Sequence, residues 1–101
     1  MRTFDISDPA LADLEEIREW LQQPGAGRKA ARRLANIMEA LAELHTAPCR
    51  WSWSVHVGAR QRIVEGYKII YRILPDTGHD DTAGDVTVVR VFGPGQLSDR
   101  L

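Results

Sequence analysis

Gly58-Ala-Arg-Gln-Arg-Ile-Val-Glu-Gly-Tyr-Lys-Ile-Ile-Tyr-Arg-Ile73, followed by Val86-Thr-Val-Val-Arg-Val-Phe-Gly-Pro-Gly95, decides how this chain folds. Both runs are rich in β-branched residues, and the first can reverse direction at Gly66. Two turns are compatible with that reversal. A three-residue loop, Val64-Glu65-Gly66, puts glycine in the left-handed position such loops favour and sets Ile63 opposite Tyr67 and Arg62 opposite Lys68. Strand side chains alternate between faces, so Arg60, Arg62, Lys68 and Arg72 then share one side with Ile70. Ile63, Tyr67, Ile69, Tyr71 and Ile73 take the other side. A two-residue turn at Glu65-Gly66 would instead place arginines beside Tyr67 and Ile69 and bury charge, which is costly without partners. The three-residue loop is therefore preferred. It predicts a core wall on one face and a cationic plate on the other, to which Arg90 of the last strand is also assigned.

Upstream, Phe4 and Ile6 alternate with polar residues and suggest a short strand over residues 2–6. Ser7-Asp8-Pro9 reads as a helix start, with Asp8 as N-cap and Pro9 at the first helical position. Leu14, Ile17 and Leu21 form an apolar stripe with Leu11 and Trp20 at its edges, and Asp13, Glu15, Glu16 and Glu19 occupy much of the remaining surface. Gln22-Gln-Pro-Gly-Ala-Gly27 stops that helix. A second helix, from about Arg28 to Leu44, carries Leu34, Ile37, Met38, Leu41 and Leu44 at three-and-four spacing. The short connection makes the two helices an antiparallel hairpin. The acidic first helix and the basic start of the second (Arg28, Lys29, Arg32 and Arg33) read as solvated faces.

Trp51, Trp53, Val55 and Val57 alternate with Ser52, Ser54 and His56, the pattern of a strand or extended arm with one apolar face. Hairpin strands follow at about 60–64 and 67–74. Residues 75–85 form a long polar connector without periodicity, expected to be mobile. Val86 to Phe92 is the last strand, Gly93-Pro94-Gly95 terminates it, and the tail to Leu101 shows no pattern. The order is β-α-α-β-β-β: one domain, 1–101, of α+β class, with an N-terminal helical hairpin packed on a small twisted antiparallel sheet.

Hydrophobic residues make up 44% of the chain and charged residues 27%, the balance of an ordinary soluble globule. No apolar run approaches the roughly 20 residues that span a bilayer. Met1-Arg-Thr-Phe-Asp-Ile6 lacks an apolar signal core, so a cytoplasmic protein with no membrane partner is expected. Cys49, the single cysteine, cannot close an internal disulfide and reads as a small packing residue. His45, His56 and His79 lack metal-ligand spacing, so neither a metal nor another cofactor is implied. A net charge of −1 argues against direct nucleic-acid binding through phosphate neutralisation. A cationic plate repels itself, however, and calls for an anionic partner.

Ala12-Asp-Leu-Glu-Glu-Ile17 in the first helix, Gly66-Tyr-Lys-Ile-Ile-Tyr-Arg72 in the sheet and Val88-Val-Arg-Val-Phe-Gly93 in the last strand resemble, in that order, the RelE/ParE toxins of bacterial type II toxin–antitoxin systems. The resemblance covers residues 4–95. It implies the fold reached above and a small cytoplasmic protein held inactive by a co-expressed antitoxin. The RelE-like branch cuts messenger RNA on the ribosome. The ParE-like branch poisons DNA gyrase and generally lacks the nuclease residues.

Chemistry separates the branches. Metal-free RNA cleavage needs a base for the 2′-hydroxyl, a group that stabilises the phosphorane and an acid for the leaving oxygen. By resemblance, Arg60 and Arg62 could match the hairpin positions of the nucleases, and Lys68 matches the residue after Gly-Tyr. The late position does not match, since Pro94, Gly95 and Gln96 stand where a cationic pair is expected. Arginine's high pKa also makes it a poor proton donor or acceptor at neutral pH. The resemblance therefore implies a ParE-like, non-catalytic inhibitor of DNA gyrase, bound by a small, acidic, partly disordered antitoxin in a hetero-oligomer. Arg60, Arg62, Lys68, Arg72 and Arg90 are the expected partner-binding face; Leu14, Ile17, Trp20, Trp51 and Trp53 are the expected apolar antitoxin contacts. The alternatives are a RelE-like endoribonuclease using Arg60, Arg62, Lys68 and Arg90, or a detoxified member that only binds its antitoxin.

Overall fold

The computed structural model describes residues 1–96 and 101; the patternless tail falls largely on residues 97–100, outside the described residues. The elements are β1 (Phe4–Ile6), α1 (Asp8–Gln22), α2 (Gly27–Thr46), a 3₁₀ turn (Pro48–Arg50), β2 (Arg60–Val64), β3 (Tyr67–Leu74) and β4 (Asp85–Phe92). The β-α-α-β-β-β order is the expected one, and the strands lie in the order β1-β4-β3-β2. One correction concerns the sheet, which is mixed: β1 runs parallel to β4, a pairing made possible by the long connection between them. None of the described helices is long and apolar enough to cross a membrane.

The hairpin takes the two-residue turn, against expectation. Val64 pairs with Tyr67, Arg62 with Ile69 and Arg60 with Tyr71. Glu65 and Gly66 have φ of +53° and +80°, the consecutive left-handed residues of a type I′ turn, whose twist matches that of the strands it joins. Asn36 donates to the Glu65 carboxylate at 2.7 Å, holding a non-glycine residue in that conformation. The single cationic face therefore does not form. Arg60 and Arg62 lie on the helix side with Tyr67, Ile69, Tyr71 and Ile73, while Lys68 and Arg72 lie on the outer side with Ile63 and Ile70. Ile63, expected in the core, is 61% exposed.

Arg60 can be buried because the fold supplies its partners. At 7% exposure its guanidinium donates to both oxygens of Asp76, at 2.7 and 3.1 Å. It also donates to the Trp51 carbonyl at 2.7 Å and lies 4.1 Å from the centre of the Trp53 ring. Bidentate charge pairing plus a carbonyl satisfies a desolvated guanidinium. These contacts also correct two expectations about loops. Residues 51–58 are not a strand: a single antiparallel bridge, Trp53 to Arg60, ties them to β2, and Val55 and Val57 are exposed. The connector at 75–84 is tied down rather than loose. Asp80 accepts the Cys49 amide at 2.8 Å, and Gly84 donates to the Pro75 carbonyl at 2.9 Å. Gly84 sits so close to its neighbours that a Cβ would lie 2.0 Å from the Leu74 carbonyl oxygen.

Both helices cover one face of the sheet. Ala10, Ile17 and Leu21 of α1 and Ile37, Leu41 and Leu44 of α2 pack on Ile69, Tyr71, Val86, Val88 and Val91. On the outer face a smaller cluster joins Ala59, Ile70 and Phe92. Ser7, not Asp8, caps α1 by accepting the Ala10 amide at 3.3 Å. The same hydroxyl donates to Val89 O at 2.9 Å, beside a bulge in the β3–β4 ladder. Asp13 accepts the Val91 amide at 2.9 Å. β1 reaches only to Val88 along β4, so α1 side chains complete the backbone bonding beyond it.

Two measurements check this. In urea unfolding, Ile69→Ala costs about 2–5 kcal/mol, whereas Ile63→Ala stays within about 0.5 kcal/mol; the three-residue loop would make both core losses. Asp76→Ala strands the Arg60 charge and costs about 3 kcal/mol. Hydrogen bonding from Arg60 holds the Asp76 carboxyl below its ordinary value of 3.8. A group depressed in the folded state contributes stability that is complete above its unfolded pKa and is lost as pH falls through the folded one. Stability of the parent protein therefore falls more steeply with acid below about pH 4 than that of Asp76→Ala.

Candidate functional site

The five cations expected to form one partner-binding face are dispersed, each drawn to a different element. Arg60 is the core–connector link just described. Arg62 reaches α2, where its guanidinium lies 3.0 Å from a Glu43 oxygen and 4.2 Å from the centre of the Trp51 ring. Arg90 pairs with both oxygens of Asp13 at 2.8 and 3.1 Å, over the Phe92 ring. Those bonds raise the pKa of Arg90 further. Arg72 donates to the Val57 carbonyl at 2.8 Å on the outer face, where Lys68 stands opposite Phe92. Arg90 stands opposite Ile70 on the outer face with Lys68 and Arg72, but Asp13 holds its guanidinium; Arg60 and Arg62 lie on the helix side.

Titratable groups near Arg60 are arranged for structure. Burial pushes the Tyr71 phenol far above its ordinary range, and its hydroxyl donates to the Pro48 carbonyl at 2.5 Å. Burial and the neighbouring Asp76 charge raise the Cys49 thiol, leaving it protonated and poorly nucleophilic. Among the described residues no three His, Cys, Asp or Glu side chains come together as a metal site would require.

The apolar candidates are equally separated. Leu14 lines a groove between the helices and β1 with Ile6, Leu11, Leu34 and Met38, and Glu15 and Arg18 stand at its rim. Ile17, at 8% exposure, belongs to the core. Trp20 is 65% exposed near the tip of the helical hairpin. Trp51 packs partly against the core, and Trp53 stays half exposed above Arg60. Leu11, at the edge of the first helix's stripe, and Met38, within the second's, are not among the expected antitoxin contacts, yet both line this groove. Which edges face each other depends on how the helices cross, and periodicity does not encode that.

No curated protein matches the chain. A solved chain described as "Chromosomal ParDE TA system from P. aeruginosa" superposes with a TM-score of 0.70 at 17% identity, over 93% of this chain and 97% of that one. At that identity the likeness is one of fold. The family described as "ParE toxin of type II toxin-antitoxin system, parDE" matches residues 4–96. That match spans nearly the whole sequence, and the protein belongs to the ParE toxin family of type II toxin–antitoxin systems.

Proposed function

We propose that the protein is a non-catalytic toxin that acts in the cytoplasm by binding DNA gyrase and is neutralised by a small, acidic, partly disordered antitoxin. The observation that supports a binding role over cleavage is the fate of the arginines. Arg60, Arg62 and Arg90 are each engaged by a carboxylate of their own protein, Asp76, Glu43 and Asp13. An endoribonuclease would need such groups to converge on an open phosphate position with a proton donor at hand. Gly93-Pro94-Gly95 supplies no titratable side chain there.

For the antitoxin, the apolar groove beside Leu14 offers a seat for one face of an amphipathic segment, the helix-in-groove mode. Leu11 and Met38 remain accessible within it. An acidic stretch has Arg72 and Lys68 to meet on the outer face. Ordering such a segment on binding would couple its folding to neutralisation.

The toxin at stoichiometric amounts is expected to stop supercoiling by purified gyrase while leaving messenger RNA intact; undiminished supercoiling would refute the gyrase assignment. Met38→Glu places a charge in the groove and is expected to weaken antitoxin binding at least about tenfold, the equivalent of 1.4 kcal/mol. Co-expressed antitoxin should then fail to rescue growth, while gyrase inhibition by Met38→Glu is unchanged.

A further inference from the structure

The tip of the helical hairpin takes no part in the groove or the outer face. Trp20 projects from it with 65% of its surface exposed, although Ile17 and Leu21 of the same helix are buried. The indole gives the tip an exposed apolar centre. Three concavities meet at this indole. Asp13 and Glu16 border one, which runs toward Tyr67 and Pro94, and Glu16, Glu19 and Gln23 border a second. Lys29 and Arg33 border the third, with Leu21, Ala26 and Ala30 as its apolar lining. The exposed centre thus has an acidic flank and a basic flank.

These charges do not satisfy one another within the molecule. Among the described residues no ion pair joins α1 acids to the basic turns of α2; Arg33 reaches only Glu65, at 3.9 Å. A purely acidic partner would be repelled by the α1 flank, and a purely basic one by the α2 flank. A partner that satisfies both flanks must carry both signs about an apolar centre, and the same surface turned through a two-fold axis has that pattern by construction. We propose that this face is a homodimer interface. Trp20 packs near the axis against its counterpart, and Glu16 and Glu19 of each protomer meet Lys29 and Arg33 of the other.

The face is small compared with the roughly 1,200 Å² of total area at the lower end of stable interfaces, so association is reversible. Its charges are solvent-exposed, so it weakens as salt shortens the screening length, about 10 Å at 0.1 M. Sedimentation equilibrium on the full chain is expected to show a monomer–dimer equilibrium that tightens as salt is lowered. Trp20→Ala should weaken it at least about tenfold. Glu16→Lys/Glu19→Lys makes both of these flanks basic, and Lys29→Glu/Arg33→Glu makes both acidic. With like charges on both flanks of the Trp20 face, each should be monomeric alone, with unchanged circular dichroism, and the two should form a heterodimer when mixed. A monomer at every salt and protein concentration overturns the proposal. So does a dimer indifferent to Trp20→Ala, or a mixture that associates no better than its components. Neither gyrase nor antitoxin enters the measurement, so its outcome is independent of the toxin reading.

Discussion

One buried guanidinium organises the irregular half of this protein. Arg60 joins the edge strand it belongs to with two stretches that lack regular secondary structure: the segment carrying Trp51 and Trp53, and the connector carrying Asp76. A desolvated charge tolerates little displacement of its partners, because losing one leaves an uncompensated ion in a low-dielectric site. The connector and the arm are therefore positioned by electrostatics where apolar burial is thin. Tyr71 acts in the same place, its hydroxyl fixing the chain at Pro48.

A parallel arrangement fixes the regular half. β1 is too short to pair with all of β4, and α1 replaces the missing strand partner with Ser7 and Asp13. Asp13 also takes Arg90, so one carboxylate bonds a backbone amide and a guanidinium at once. Between them, Asp13, Glu43 and Asp76 engage three of the five cations that seemed in the sequence to face a partner. In the proposed binding role, recognition falls mostly to shape and apolar surface.

Much of the fold was legible. Alternation located β2, β3 and β4 closely, Gln22 to Gly27 correctly separated two amphipathic helices, and the family resemblance agreed with both. The register was not legible, for a definite reason. Segregating charge from apolar residues is a sound rule when no partner is available, and here Asp76 lies in a segment whose composition says only that it is polar. Nothing local in the sequence marks it as the counterion of Arg60. The type I′ turn is visible as the dipeptide Glu65-Gly66, but without that counterion it carries the cost of a buried charge. The site suffered most from this error, since the face assignments of Arg60 and Arg62 followed from the register. The stripe that carries Leu14 was legible because a helical period does not depend on strand pairing.

Gly84 bears on how mutational data from this protein should be interpreted. It sits at the neck of the connector, where the Leu74 carbonyl leaves no space for a methyl group. Any side chain there must push Leu74 and Pro75 aside, and the residue that follows them is Asp76. Loss of function on substituting this partly accessible glycine would therefore report a dislodged counterion. Scoring position 84 as a partner contact would mistake a structural effect for recognition.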